Sequence, residues 1–298
     1  MDSSNFNSNF NSRFSSKFYL FEYKLKSFIS NFFAQIVLIL VSISCIFPLL
    51  WMFSSALKTQ QTIFSDMSLF PKNPHWSNFI TAWSKASFET YFFNSLMYTL
   101  IVVFGVIFIS SMAAYAFSRL EFPLKKFFFM IFMATMMIPI PGAFISLYIL
   151  LTKLHLVNTR IGYILPQING GLAMGIFMLK TFFDKMPKDL EDAAKIDGCN
   201  KLGIYWHVAL PLAKQAIAVL VIFTALGVWN EYLLAMLILS SKALMPLQRG
   251  LMVFQGSHLT EYPLLMAGIT ITIVPIVIIY LVMQKYIIKG IMAGAVKE

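Results

Sequence analysis

The chain has 298 residues, 58% of them hydrophobic and only 12% charged. A soluble globular domain carries about 25% charged residues, so this composition excludes that class and describes a membrane protein. The net charge of +10 does not describe a nucleic-acid binder, because apolar runs, not aromatic-interleaved basic stripes, separate the lysines and arginines. It reads as membrane topology and attraction to anionic lipid head groups.

Residues 1–30 begin as an Asn/Ser/Phe mixture and then gain Arg13, Lys17, Lys24 and Lys26. This is a cytoplasmic or interfacial segment, since aromatic residues among lysines suit the head-group layer. No small-residue cleavage site follows the first apolar run, which is longer than a signal-peptide core and is expected to remain as a span. A spanning helix needs about 20 mostly apolar residues. Six stretches qualify, at about 32–53, 92–117, 127–151, 161–183, 216–239 and 263–282, within a membrane domain of residues 31–290. The fourth is interrupted by Pro166, Gln167, Asn169, Gly170 and Gly171, so it is expected to face protein or a water-filled path. Pro48, Pro139, Pro141 and Pro275 predict kinks.

With the amino terminus inside, the inner segments hold sixteen lysines and arginines and the outer segments seven. That bias puts both termini, including the tail 291–298, in the cytoplasm. It also puts there the least membrane-like stretch of the chain, 184–214, which carries five acidic residues and five lysines between two apolar runs. Inside it Pro187 can start a helix, Asp189, Glu191 and Asp192 sit where the helix dipole favours carboxylates, and Gly198 can stop it. A second short helix is expected from about Lys201 to Pro211, making a helix-turn-helix at the membrane surface.

The outer loop 54–91 is the longest, and its Trp76 and Trp83 suit the interface. The outer loop 240–262 is rich in polar side chains, among them Gln248, Arg249 and Gln255, with Gly256 beside the last. Composition alone fits either a solvated turn or a surface that holds a sugar or a sugar-loaded protein. Glu231 is the acidic residue well inside a span. Burying such a charge costs about 2.5–3.5 kcal/mol on insertion scales, so Asn230 and Glu231 are expected either to line a translocation path or to make helix-packing hydrogen bonds. Cys45 and Cys199 make no disulfide framework. The four histidines have no metal-ligand spacing, and no phosphate-cradling glycine loop precedes a lysine. No reaction site emerges, and neither a metal site nor a cofactor is expected on this chain.

Asp192-Ala193-Ala194, three residues, Gly198, nine residues, then Val208-Ala209-Leu210-Pro211 resembles the Glu-Ala-Ala loop of ABC-importer permeases, with Asp192 for the usual Glu and Val208 for Ile. The resemblance continues in Asn94-Ser95, the run Ser111 to Leu120, Met137-Ile138-Pro139, Trp229-Asn230-Glu231-Tyr232, Phe254-Gln255-Gly256 and the tail Ala293 to Lys297. These look like the carbohydrate-importer branch, most like the smaller subunit of maltose-type permeases. The resemblance implies an all-α polytopic chain of the type I importer fold, with six spans and a cytoplasmic coupling loop at 184–214. It implies that Glu191, Asp192, Ala193, Ala194, Asp197, Gly198, Val208, Leu210 and Pro211 couple to an ATPase, and that Gly294 and Lys297 add a contact. The partners implied are a second, different permease chain, two ATPase subunits that use ATP and Mg, and an external solute-binding protein that delivers the carbohydrate to outer loops containing Gln248, Gln255 and Gly256. A glycerol-phosphate permease and an ion-coupled secondary transporter are the alternatives.

Overall fold

A computed structural model describes residues 31–85, 87–137, 140–256 and 260–295. The segment 1–30 and Lys297 lie outside the described residues. The helices, in chain order, are α1 (Asn31–Ala56), α2 (Ser77–Lys85), α3 (Phe88–Arg119), α4 (Lys125–Thr135), α5 (Ile140–Lys153), α6 (Arg160–Lys185) and α7 (Lys188–Ile196). Then come α8 (Lys201–Ile204), a π-helical turn (Tyr205–Ala209), α9 (Leu210–Leu212), α10 (Lys214–Trp229), α11 (Leu233–Ile238), α12 (Leu247–Gly250) and α13 (Tyr262–Ala295). Among the described residues the pairing of extended chain is limited to one isolated bridge, Gln255 to Thr260.

Among the described residues four helices are long and apolar enough to cross a membrane: α1, α3, α6 and the Tyr262–Val282 part of α13. A fifth crossing results if Lys201–Leu212 and Lys214–Trp229, which meet at 74°, count as one bent span. The expected span 127–151 is divided into α4 and α5 across an Ile-Pro-Ile-Pro sequence; Pro139 lies outside the described residues. Proline lacks the N–H that would continue the helix and biases the residue before it away from helical backbone.

Helix α3 is the post of the bundle, with Tyr91, Tyr98, Val102, Val106 and Ala114 buried along it. Its closest neighbour is α6, and small residues set the distance between them. A Cβ on Gly171 would lie 2.7 Å from Val106 Cγ2, and one on Gly175 2.7 Å from Ser110 Oγ. Lipid tails are as apolar as the helices, so association rests on such close packing.

The expected interruption of the fourth span does not occur: α6 is one helix from Arg160 to Lys185. Gln167 Nε2 donates back to Tyr163 O at 3.1 Å, and of the two glycines that suggested a break Gly171 is a contact point for α3 whereas Gly170 faces open space. Helices α1 and α13 likewise run through Pro48 and Pro275.

The expected fifth span, in contrast, is broken. Helix α10 ends at Trp229, and short pieces α11 and α12 with two 3-10 turns fill the chain before α13. Polar side chains satisfy the freed backbone groups. Asn94 Nδ2 donates to Ala243 O and Met245 O at 2.9 and 3.1 Å. Tyr98 OH donates to Leu244 O at 2.8 Å. Ser95 Oγ accepts from Leu247 N at 2.7 Å, and Asn158 Oδ1 accepts from Ser240 N and Ser241 N at 3.0 and 2.9 Å. Irregular backbone at membrane depth is tolerated only with such partners.

Candidate functional site

At the end of the bundle where α3 finishes, the 184–214 stretch folds as a helical hairpin. Pro187 caps α7, with Asp189 and Glu191 in its first turn. The helix closes with a Schellman motif: Gly198, at φ +82°, donates to Lys195 O, and Cys199 donates to Ala194 O at 2.9 Å. Asn200 then caps α8 by accepting from Gly203 N at 2.7 Å. The second helix is not separate from the span that follows. It widens into a π-turn, where Leu210 N bonds to Tyr205 O, and bends beyond Pro211 into α10.

The hairpin has two faces. Glu191, Ala194, Tyr205 and Ala209 are buried, and Val208 and Leu210 are half-buried. Asp192, Ala193, Asp197, Gly198 and Pro211 are exposed, beside Ile196, which is 87% exposed at the tip. Asp192 pairs with Lys195 at 2.7 Å. The hydrogen bond and charge from Lys195 hold its carboxyl below the usual carboxylate range, and Asp192 raises the lysine in return.

Glu191 therefore does not share the outward role expected of it together with Asp192. Its Oε1 lies 2.8 Å from Arg119 Nε, the two side chains being 11% and 8% exposed. This contact is an ion pair without in-line hydrogen-bond geometry. The guanidinium also donates through Nη2 to Phe183 O at 2.6 Å and to Met186 O. Beside it Ser118 Oγ donates to Asp184 Oδ1 at 2.7 Å, and Lys180 reaches Asp184 Oδ2 at 2.6 Å. In the sequence Arg119 counts as an inner positive charge and stands in the run Ser111 to Leu120, without an assigned partner; its partners come from two later segments, and local spacing carries no signal for that.

Of the other residues singled out, Asn230 and Gln248 meet at the opposite end. Gln248 Nε2 donates to Asn230 Oδ1 at 3.2 Å, and Asn230 Nδ2 donates to Leu226 O at 2.9 Å. Glu231 is not a charge inside an intact span. Its two carboxylate oxygens accept from Leu234 N and Ala235 N at 2.8 and 3.1 Å, capping α11. Gln255 and Gly256 are exposed and apart from this pair in the chain beyond α12. Gly294 is in the last turn of α13, and Lys297 lies outside the described residues.

An all-helical, multi-pass membrane chain with an exposed helical hairpin at one end and a broken, internally bonded span at the other is a transport subunit. The chain belongs to the binding-protein-dependent transport system inner membrane component family, whose model matches residues 105–292. It is a permease component of an ABC transporter and not an enzyme. It is 34% identical to the probable ABC transporter permease protein YurM of Bacillus subtilis, over 91% of this chain and 90% of that one. It is 31% identical to the diacetylchitobiose uptake system permease protein NgcG of Streptomyces coelicolor, over 87% and 86% of the two chains. The fold is similar to a chain of a bacterial ABC transporter involved in the import of the acidic polysaccharide alginate, with TM-score 0.75, 25% identity and coverage of 87% and 96%. Permeases of this family work with an ATPase, a binding protein and a further permease.

Proposed function

We propose that this chain and a second, different permease chain enclose the path by which a carbohydrate enters the cell. Two ATPase subunits, using ATP and Mg, drive alternating access, and an external solute-binding protein supplies the substrate. The observation that supports the reading is the hairpin: the residues of the Glu-Ala-Ala-type motif form a capped helix on which Asp192, Ala193, Ile196 and Asp197 are exposed. Ala193 permits close approach, Ile196 offers an apolar knob, and the carboxylates offer acceptors to basic groups in a groove. In this reading residues 31–290 cross the membrane six times, with α4 and α5 together making the third crossing, and both termini and the hairpin are cytoplasmic. Gly294 and Lys297 add a carboxyl-terminal contact to the ATPase. Asn230 and Glu231 line the path or organise its gate, Gln248, Gln255 and Gly256 face the binding protein, and the chain itself holds neither nucleotide nor metal.

The carbohydrate assignment is supported by what the relatives' names say of them, the uptake of diacetylchitobiose in one case and of alginate in the other. The test is to purify the assembled complex with its ATPase and binding protein and to measure Mg-ATP hydrolysis against neutral and acidic oligosaccharides. Stimulation by one of them supports the reading. Stimulation by glycerol phosphate alone, or uptake that follows an ion gradient without ATP, would overturn it.

A further inference from the structure

We infer that Arg119 is a positioning residue that ties α7 to α3 and α6, so that a displacement of the hairpin is passed to the far end of the bundle along α3. This rests on the importer reading above. Arg119 is the last residue of α3, and its one side chain holds two other elements. Nη2 takes the Phe183 and Met186 carbonyls, where α6 ends; Phe183 O also accepts the Met186 N–H that closes the helix, so the guanidinium binds the carboxyl-terminal cap of α6. Nε faces Glu191 in the first turn of α7. The junction is buried: a partner removed here leaves a charge buried and unmatched, so separating α7 from α3 is costly.

Two neighbouring contacts strengthen the joint. Ser111 Oγ and Tyr205 OH meet at 2.8 Å, and the Tyr115 ring packs at 5.4 Å from Tyr205 and 5.8 Å from Phe183. The other end of the same helix holds the broken span through Asn94, Ser95 and Tyr98. With 32 residues and about 1.5 Å of rise for each, α3 is an unbroken rod fixed at one end to the hairpin and at the other to the segment that carries Gln248. The hairpin and the break therefore move together or the Arg119–Glu191 contact opens.

The experiment uses the assembled transporter in nanodiscs, with Cys45→Ser and Cys199→Ser, and Leu233→Cys as reporter. Leu233 is exposed at the break. Its labelling rate with N-ethylmaleimide is measured with and without Mg-ATP and orthovanadate, and each change is expressed per mole of trapped nucleotide. Where the ion pair is intact, trapping is expected to change the rate. Arg119→Gln, Glu191→Gln and the double variant are expected each to shrink that change by about fivefold or more, the double no worse than the worse single, and Arg119→Lys to restore part of it. The inference is overturned if the variants respond like the intact pair. It is also overturned if none of them assembles, which would give the pair a folding role alone. No nucleotide-linked change even with the pair intact would overturn the coupling of this hairpin to an ATPase, and the inference with it.

Discussion

The hydroxyls of Ser111 and Tyr205 meet at 2.8 Å in a buried position, joining the last third of α3 to the π-turn of the hairpin. Ser111 Oγ also donates to Phe108 O at 3.2 Å, so Tyr205 is the donor in the pair. Tyr205→Phe removes one hydrogen bond and is expected to destabilise by about 1 kcal/mol, whereas Ser111→Ala strands a buried phenol at about 1–3 kcal/mol. The double variant should lose less than the sum of the singles. Thermal unfolding of the detergent-solubilised complex measures all three; strict additivity would mean that the two hydroxyls do not interact.

Glu231 caps a helix through two backbone amides, so its charge and its acceptor geometry separate by substitution. Glu231→Gln keeps one acceptor and is expected to retain most transport. Glu231→Ala strands both amides, costing about 1–3 kcal/mol, and is expected to lower uptake severalfold. Uptake assays at matched expression check this; equal, large losses in both variants would assign the work to the charge itself.

Gly198 stands in left-handed backbone with nothing within 4 Å of a built Cβ. Gly198→Ala therefore costs only backbone conformation, about 1 kcal/mol, and should leave transport nearly intact. Gly198→Pro fixes φ near the opposite sign and removes the N–H that bonds Lys195 O, and is expected to abolish transport while the protein still inserts. Uptake together with protease mapping of membrane insertion reads both; transport by the proline variant would show that a rigid hairpin is unnecessary.

A Cβ on Gly175 would lie 2.7 and 2.8 Å from Ser110 Oγ and Cβ. Gly175→Ala is expected to push α6 away from α3 and to destabilise by about 1–3 kcal/mol. Gly170→Ala, which meets nothing within 4 Å, should be neutral or slightly stabilising on the same helix. Detergent-challenge melting distinguishes the two.

Asp192 has a lowered carboxyl pKa and Lys195 a raised ammonium pKa, each because of the other. A lowered carboxyl contributes stability above its unfolded pKa of about 3.9 that is lost as pH falls through the folded value; a raised lysine contributes below about 10.4 and loses it as pH rises through its own. The pair should therefore show no titration across neutral pH. Carboxyl-labelled NMR of the hairpin is the check, and Lys195→Ala should move the Asp192 midpoint upward.

Much of this was legible from residue order. The apolar runs at 92–117 and 263–282 became α3 and the apolar part of α13, because a bilayer-length run of greasy residues has helix as its only self-sufficient backbone. The hairpin was legible too, since Pro187, Gly198 and Asn200 act on backbone within a few residues of themselves. Pro166, Gly170 and Gly171 misled for the same reason. Locally they read as a break, and only the approach of Val106 and Ser110 turned Gly171 and Gly175 of α6 into a packing seam.

What the sequence by itself determined was therefore the membrane class, the existence of most of the long helices, and the capped hairpin, all properties set by short-range spacing and by solvent. The tertiary structure alone decided that Glu191 turns inward to Arg119 while Asp192 stays out, that Glu231 caps a helix in a broken span, and that Asn230 meets Gln248. Those outcomes depend on which segments touch, and pairing across a folded bundle leaves no periodic mark on the chain.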